Sequence, residues 1–220
     1  KTMNTHLHIL EAYSNLYRIL REEKLRLKIK DLLQNFSDYI IDKETSHLIL
    51  FFDENWMQKS TIISYGHDIE ASWLLQEAAE IINDEELIAL TKQIAVKMAS
   101  AAKQGIDKDG GLWYEYEPSE NHLIKEKHWW PQAEAMVGFF NAWQVSGKNE
   151  YLQLSLRNWD FTKKYIIDKQ SGEWIWGINE DYSAMKEQDK VGIWKCPYHN
   201  SRACIEIIKR IGSDTARGTI

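Results

Sequence analysis

Apolar residues recur at three- and four-residue spacing in seven stretches, and that period predicts helices over roughly 5–22, 24–41, 68–82, 84–103, 130–146, 149–167 and 199–211. Tight turns at 82–84 and 146–148 join some of these as neighbouring pairs. The start signals agree with the period. Asn4 is placed to cap the first helix and Asp84 the fourth, with Glu85 and Glu86 in its first turn; Pro131 falls in an early turn, where its missing N–H costs nothing. Within a pair the first helix is the less charged: 68–82 and 131–146 carry few basic residues, whereas lysines recur along 84–103 and 149–167. A one-sided helix covering an apolar one has this signature, so an inner set of helices under an outer set is expected.

Between the pairs the period changes. Segments 47–56, 111–116 and 173–178 read as short strands, the second following Asp109, Gly110 and Gly111, and β-hairpin excursions are expected there. No Gly/Ser-rich or Pro-rich stretch divides residues 1–220, and 44% hydrophobic content supports one substantial core, so a single domain is expected.

Charge narrows the range of partners. A net charge of −6 argues against a nucleic-acid surface or an anionic membrane, both of which favour clustered Lys and Arg. Acids interleave the lysines and arginines of 21–30, as on a solvated helix face. No uninterrupted apolar run approaches the length of a membrane span, and no charged segment followed by an apolar one opens the chain. With only Cys196 and Cys204 present, a cytosolic compartment is expected. The 10 Trp and 10 Tyr are the strongest compositional deviation, and several fall in short runs outside the helices. Flat amphipathic rings suit the lining of a sugar-binding cleft, and they equally suit plain core packing.

Four clusters rich in His, Trp and carboxylate recur at steps of roughly sixty to seventy residues, each where a helix begins. They are Asn-Thr-His-Leu-His from Asn4, Gly-His-Asp-Ile-Glu-Ala-Ser-Trp from Gly66, His-Trp-Trp-Pro-Gln-Ala-Glu from His128 and Cys-Pro-Tyr-His-Asn from Cys196. An array of helical pairs would bring all four to one end. His6 and His8 point away from one another on a helix, and His8, sharing a face with Ala12 and Asn15, is the better cavity candidate. His67, Glu70, Trp73 and Leu74 share a face; a carboxylate one turn from an imidazole can hold its tautomer and raise its basicity. Asp68 reads more simply as a favourable charge at the helix start. Glu134 follows Trp130 by one turn, and Trp194 and His199 flank Pro197 with Arg202 a turn further on. No metal is expected, since no His-x-x-x-His or Cys/His pair accompanies the histidines. A phosphate loop and a nucleophile elbow are also missing, which leaves acid–base chemistry on a neutral, ring-shaped substrate.

These four stretches resemble the cellobiose 2-epimerase branch of the N-acylglucosamine 2-epimerase superfamily, and the resemblance runs over essentially the whole chain. It implies an all-α fold, the (α/α)6 barrel or toroid, of which roughly seven helices would be a C-terminal portion. It also implies a cofactor-free, reversible inversion at C2 of the reducing-end sugar of a disaccharide of the cellobiose, mannobiose or lactose class. By motif position His67 and His199 correspond to the acid–base pair and His8 to a third histidine assisting the enediolate. Asn4, Glu70, Trp73, Trp130, Glu134 and Trp194 correspond to residues that hold the sugar or orient the histidines, with Trp129 a weaker correspondence. An incomplete barrel would expose apolar faces around 8–19 and 199–211, which favours self-association. Two rival readings remain open here. A glycoside hydrolase would use Glu70 and Glu134 as opposed carboxylates but leave three histidines without a role, and a binding protein would keep the tryptophans without needing the histidines.

Overall fold

The computed structural model describes residues 1–216. Seven α-helices are present among them: α1 Met3–Leu20, α2 Glu23–Asn35, α3 Tyr65–Ile81, α4 Glu85–Ala102, α5 Trp129–Ser146, α6 Asn149–Tyr165 and α7 Tyr198–Ala216. Each falls on one of the seven periodic segments. A π-helical turn, Phe36–Ile40, extends α2. The chain forms two compact units, residues 1–104 with 115–123, and residues 105–114 with the chain from 124 on.

In the first unit α3 packs on α1, α2 and α4. Every residue of α3 from Asp68 to Gln76 is buried, whereas α4 buries Leu87, Thr91, Ala95, Met98 and Ala99 along one stripe and leaves Lys92 and Lys97 in solvent. This is the inner and outer contrast that the charge pattern predicts. Asp84 caps α4 by accepting from Leu87 N–H at 3.2 Å. The cap of α1 differs from expectation: Thr2, not Asn4, is the N-cap, its hydroxyl accepting from Thr5 N–H, and Asn4 stands exposed in the first turn. Thr2 bridges to Phe51 and Met3 N–H donates to the Leu50 carbonyl, which keeps the chain extended as far as Thr2. Helical geometry begins directly after it.

The expected strand at 47–56 is a chain of isolated bridges, Ile41 to Leu48, Thr2 to Phe51 and Phe52 to Gln58. Asp53 interrupts it, its carboxylate accepting from the backbone of Asn55 and Met57 and so turning the chain back on itself. Short strands form elsewhere: β1 Ile63–Ser64, β2 Glu115–Glu117, β3 His122–Ile124, β4 Lys127–His128 and β5 Gly177–Ile178. β1 pairs antiparallel with β2, Ser64 opposite Glu115. β4 pairs antiparallel with β5, so of the three expected excursions, 111–116 and 173–178 each contribute part of a strand.

In the second unit α5 packs on α6 and α7, and all residues of α5 from Pro131 to Ala142 are buried. α6 buries one stripe: Tyr151, Leu154, Ser155, Asn158, Phe161 and Thr162. The loop before β2 is fixed by Gln132, whose carbonyl accepts from Leu112 N–H at 2.8 Å while its amide donates to the Leu112 and His128 carbonyls. Asn158 joins this network, donating to Gln132 Oε1 and to the Gly110 carbonyl. Lys127, 3% exposed, bridges Asp107 and Asp109 at 2.7 Å each. Gly110 and Gly111 form a turn, as the sequence suggests, and packing explains why both are glycine. At Gly110, where φ is +93°, an added Cβ would lie 2.6 Å from the Arg157 carbonyl oxygen; at Gly111 it would meet Phe161 and Lys127 at 2.8 Å.

Gly110→Ala is therefore expected to destabilise the protein by about 2–4 kcal/mol through combined backbone strain and overlap. Gly172→Ala makes the comparison, because φ there is +73° but nothing lies within 4 Å. Thermal unfolding should show the larger fall in Tm for Gly110→Ala, and equal falls would mean that the close approach to α6 carries no cost.

Candidate functional site

In the first unit, His67 is the third residue of α3 and half-buried. Its Nδ1 lies 2.7 Å from the hydroxyl of Ser64, a residue the sequence does not single out because a serine before a helix reads as a cap. Glu70 and Trp73 are both 1% exposed on the same helix. Asp68 is more than a charge at a helix start. It is wholly buried, with His47 Nδ1 2.6 Å from one oxygen and Leu48 N–H donating to the other at 2.8 Å, which ties the 41–52 segment to the start of α3. Burial pushes the Asp68 carboxyl up, and the bonds to His47 and Leu48 pull it back only in part. His47 opens the expected 47–56 strand, outside the four His- and Trp-rich clusters, so no motif points to it.

The two histidines of α1 have different surroundings. His6 donates from Nδ1 to the Thr2 carbonyl at 2.7 Å and its ring contacts Trp56, which gives it a structural place. His8 is half-exposed, its Nδ1 3.5 Å from Glu11.

In the second unit, His199 is the second residue of α7 and donates from Nδ1 to Glu134 Oε1 at 2.8 Å. Glu134 is wholly buried on α5, and Arg202, one turn after His199, reaches the same oxygen at 2.6 Å while its guanidinium stacks over Tyr198. Burial pushes the Glu134 carboxyl up, but the Arg202 charge and the His199 bond outweigh it and hold the group below the ordinary glutamate range. An imidazole anchored through Nδ1 on an ionised carboxylate presents Nε2 for proton exchange. Trp130 lies beside it, ring centroids 5.7 Å apart, with Tyr114 edge-on to Trp130.

The neighbouring Trp129 points elsewhere, buried against Trp176 at 4.5 Å with the Lys195 ammonium 5.3 Å over its ring. His128 packs against Tyr114 with ring centroids 4.1 Å apart and planes tilted by 33°, its Nε2 is 2.9 Å from Glu126, and burial lowers its pKa despite that carboxylate. In the last loop the residue turned inward is Lys195, 1% exposed and donating to Glu173 and to the Lys190 carbonyl. Asn200 donates to the same Glu173 oxygen and so links this loop to the start of α7. Trp194 is 81% exposed at the surface of that loop.

The sequence profile of the N-acylglucosamine 2-epimerase family matches residues 1–203. A cellobiose 2-epimerase of Bacteroides fragilis is 48% identical over 208 residues, 94% of this chain and 53% of that protein. The corresponding enzyme of Dictyoglomus turgidum is 42% identical over 214 residues, 96% of this chain and 54% of its own. Among solved structures, a sugar epimerase from a ruminal bacterium superposes with a TM-score of 0.92 at 39% identity, covering 96% of this chain and 54% of that one. The chain thus spans about half the length of the curated relatives it matches. Its seven helices are a partial version of the (α/α)6 fold of these epimerases. No helix among the described residues is long and apolar enough to cross a membrane.

Glu134 has a folded-state pKa below its unfolded value, so the stability it contributes is present above about pH 4.3 and lost as pH falls through that range. Tm is therefore expected to fall steeply on acidification below about pH 5, and Glu134→Gln to flatten part of that slope. Melting curves from about pH 3 to 7 check this, and an unchanged slope in the variant would contradict the assignment.

Proposed function

Because the chain belongs to the N-acylglucosamine 2-epimerase family, we propose that it acts as a cellobiose 2-epimerase-like isomerase, reversibly inverting C2 of the reducing-end sugar of a β-1,4-linked disaccharide. The observation that carries this reading is His199, an imidazole anchored through Nδ1 on a buried, ionised carboxylate. The sugar ring opens to the free aldehyde. His67 then removes the C2 proton, leaving a cis-enediolate, and after rotation about C2–C3 His199 returns a proton to the opposite face. In the reverse direction the two histidines exchange roles, and no cofactor or metal takes part. His8 assists the enediolate. Trp130 is the stacking surface beside His199, Glu134 orients that histidine, and Asn4, Glu70, Trp73, Trp129 and Trp194 hold the sugar or the residues that touch it. A disaccharide of the cellobiose, mannobiose or lactose class is the proposed substrate, and the cytosol, in keeping with two unpaired cysteines, the proposed compartment.

The hydrolase reading needs one carboxyl held protonated as general acid, with a raised pKa. Glu134 is shifted the other way and is paired with Arg202, which disfavours that role.

Incubating the protein with cellobiose in deuterated water tests the reading. Deuterium at C2 of a glucosyl-mannose product is expected, whereas free glucose, or no reaction on cellobiose or mannobiose, would overturn it. His67→Ala and His199→Ala should each lower kcat by about 10²–10⁴-fold. Trp130→Ala should mainly raise KM, because a stacking surface stabilises ground and transition states alike. Steady-state kinetics separate these effects, and full turnover in either histidine variant would remove the two-histidine mechanism.

A further inference from the structure

We propose that Ser64 is a positioning residue for His67, its hydroxyl holding Nδ1 of the imidazole so that Nε2 is the atom that exchanges the proton with the sugar. The inference rests on the epimerase reading only for the identity of that proton; the hold itself stands on the geometry of α3.

Ser64 is 1% exposed, and its Oγ lies 2.7 Å from His67 Nδ1. It occupies the N-cap of α3, where a serine hydroxyl ordinarily accepts from a backbone N–H of the first turn. Thr2 does so for α1 and Asp84 for α4, accepting from Thr5 N–H and Leu87 N–H. Ser64 makes no such side-chain cap bond. Its hydroxyl turns instead to the ring of His67, three residues on and in the same first turn. A cap given up in favour of one imidazole marks that imidazole as the group being served.

The hydroxyl can hold the ring because its own backbone is held. Ser64 is in β1, with φ −109° and ψ 98°, and the β1 to β2 register sets Ile63 opposite Tyr116 and Ser64 opposite Glu115. The following residues enter α3, so Oγ and Nδ1 are fixed from the two sides of one strand-to-helix junction.

Proton bookkeeping gives the contact its use. Neutral imidazole carries one N–H and one lone pair, and imidazolium carries an N–H on each nitrogen. With Nδ1–H donating to Ser64 Oγ, Nε2 holds the lone pair in the base form and the transferable proton in the acid form. Nδ1–H and its acceptor are unchanged between the two. One contact therefore serves both directions of a reversible proton transfer without moving the ring.

Two measurements on Ser64→Ala and Ser64→Thr test this. In protein labelled with 15N at histidine, NMR should find neutral His67 as the Nδ1–H tautomer in the wild type and in Ser64→Thr, and shifted towards Nε2–H in Ser64→Ala. On cellobiose, Ser64→Ala should lose about tenfold or more in kcat with KM changed by less than about twofold, since a wrong tautomer removes the base without weakening binding. Ser64→Thr should restore most of that loss. An unchanged tautomer and wild-type kcat in Ser64→Ala would overturn the proposal. So would unfolding of Ser64→Ala in a thermal melt, which would make Ser64 a residue of the fold. The tautomer is read without substrate, so undiminished turnover in His67→Asn would sink the epimerase mechanism while leaving the Ser64 contact standing.

Discussion

Glu134 lies wholly out of solvent on α5, between Ala133 and Ala135 and in a run that continues through Met136, Val137, Phe139 and Phe140. Burial by itself would neutralise that carboxyl, at a cost an isolated interior charge cannot recover. It stays ionised because Arg202 and His199 both reach one of its oxygens from the first two turns of α7. The same bond decides two further matters. It fixes where α7 begins relative to α5, and it settles which nitrogen of His199 is occupied. Removing Arg202 would take away the cation paired with this buried carboxylate, which costs far more than the net worth of an intact pair.

The same rule of local compensation governs the loops that lead into these helices. Lys127 is buried between Asp107 and Asp109 at the strand that precedes α5. Lys195 is buried against Glu173 in the loop that precedes α7, and Asp68 against His47 at the start of α3. In each case a charged side chain from the helix start or its approach meets a partner from a segment distant in sequence. Gln132 does this without charge, using its carbonyl and its amide to fasten the backbone of Leu112, while Asn158 fastens Gly110. The histidines and tryptophans of each unit stand on ground fixed in this way.

Helix positions were legible in the sequence because they depend on a local period. The all-round burial of α3 and α5 against the single buried stripes of α4 and α6 followed from where the lysines fall, since a lysine repeated along one face keeps that face in water. The cap at Asp84 was legible for the same local reason. The cap of α1 was not. Thr2 displaced Asn4 because extended pairing with 50–52, a contact distant in sequence, chose the residue at which the helix starts.

At the candidate site, the sequence by itself determined which residues are candidates for the chemistry: His67, Glu70, Trp130, Glu134 and His199 are singled out by type, spacing and family motif. Tertiary structure decided what each of them touches. Which atom of His199 is occupied, that Arg202 shares its carboxylate, that Trp129 is packed inward against Trp176, and that Ser64 serves an imidazole instead of capping a helix all depend on side chains brought together by the fold. Periodicity records which face of a helix is buried, because burial acts on every turn alike. A single hydrogen bond between distant segments leaves no periodic trace, so it could be read only after the chain had folded.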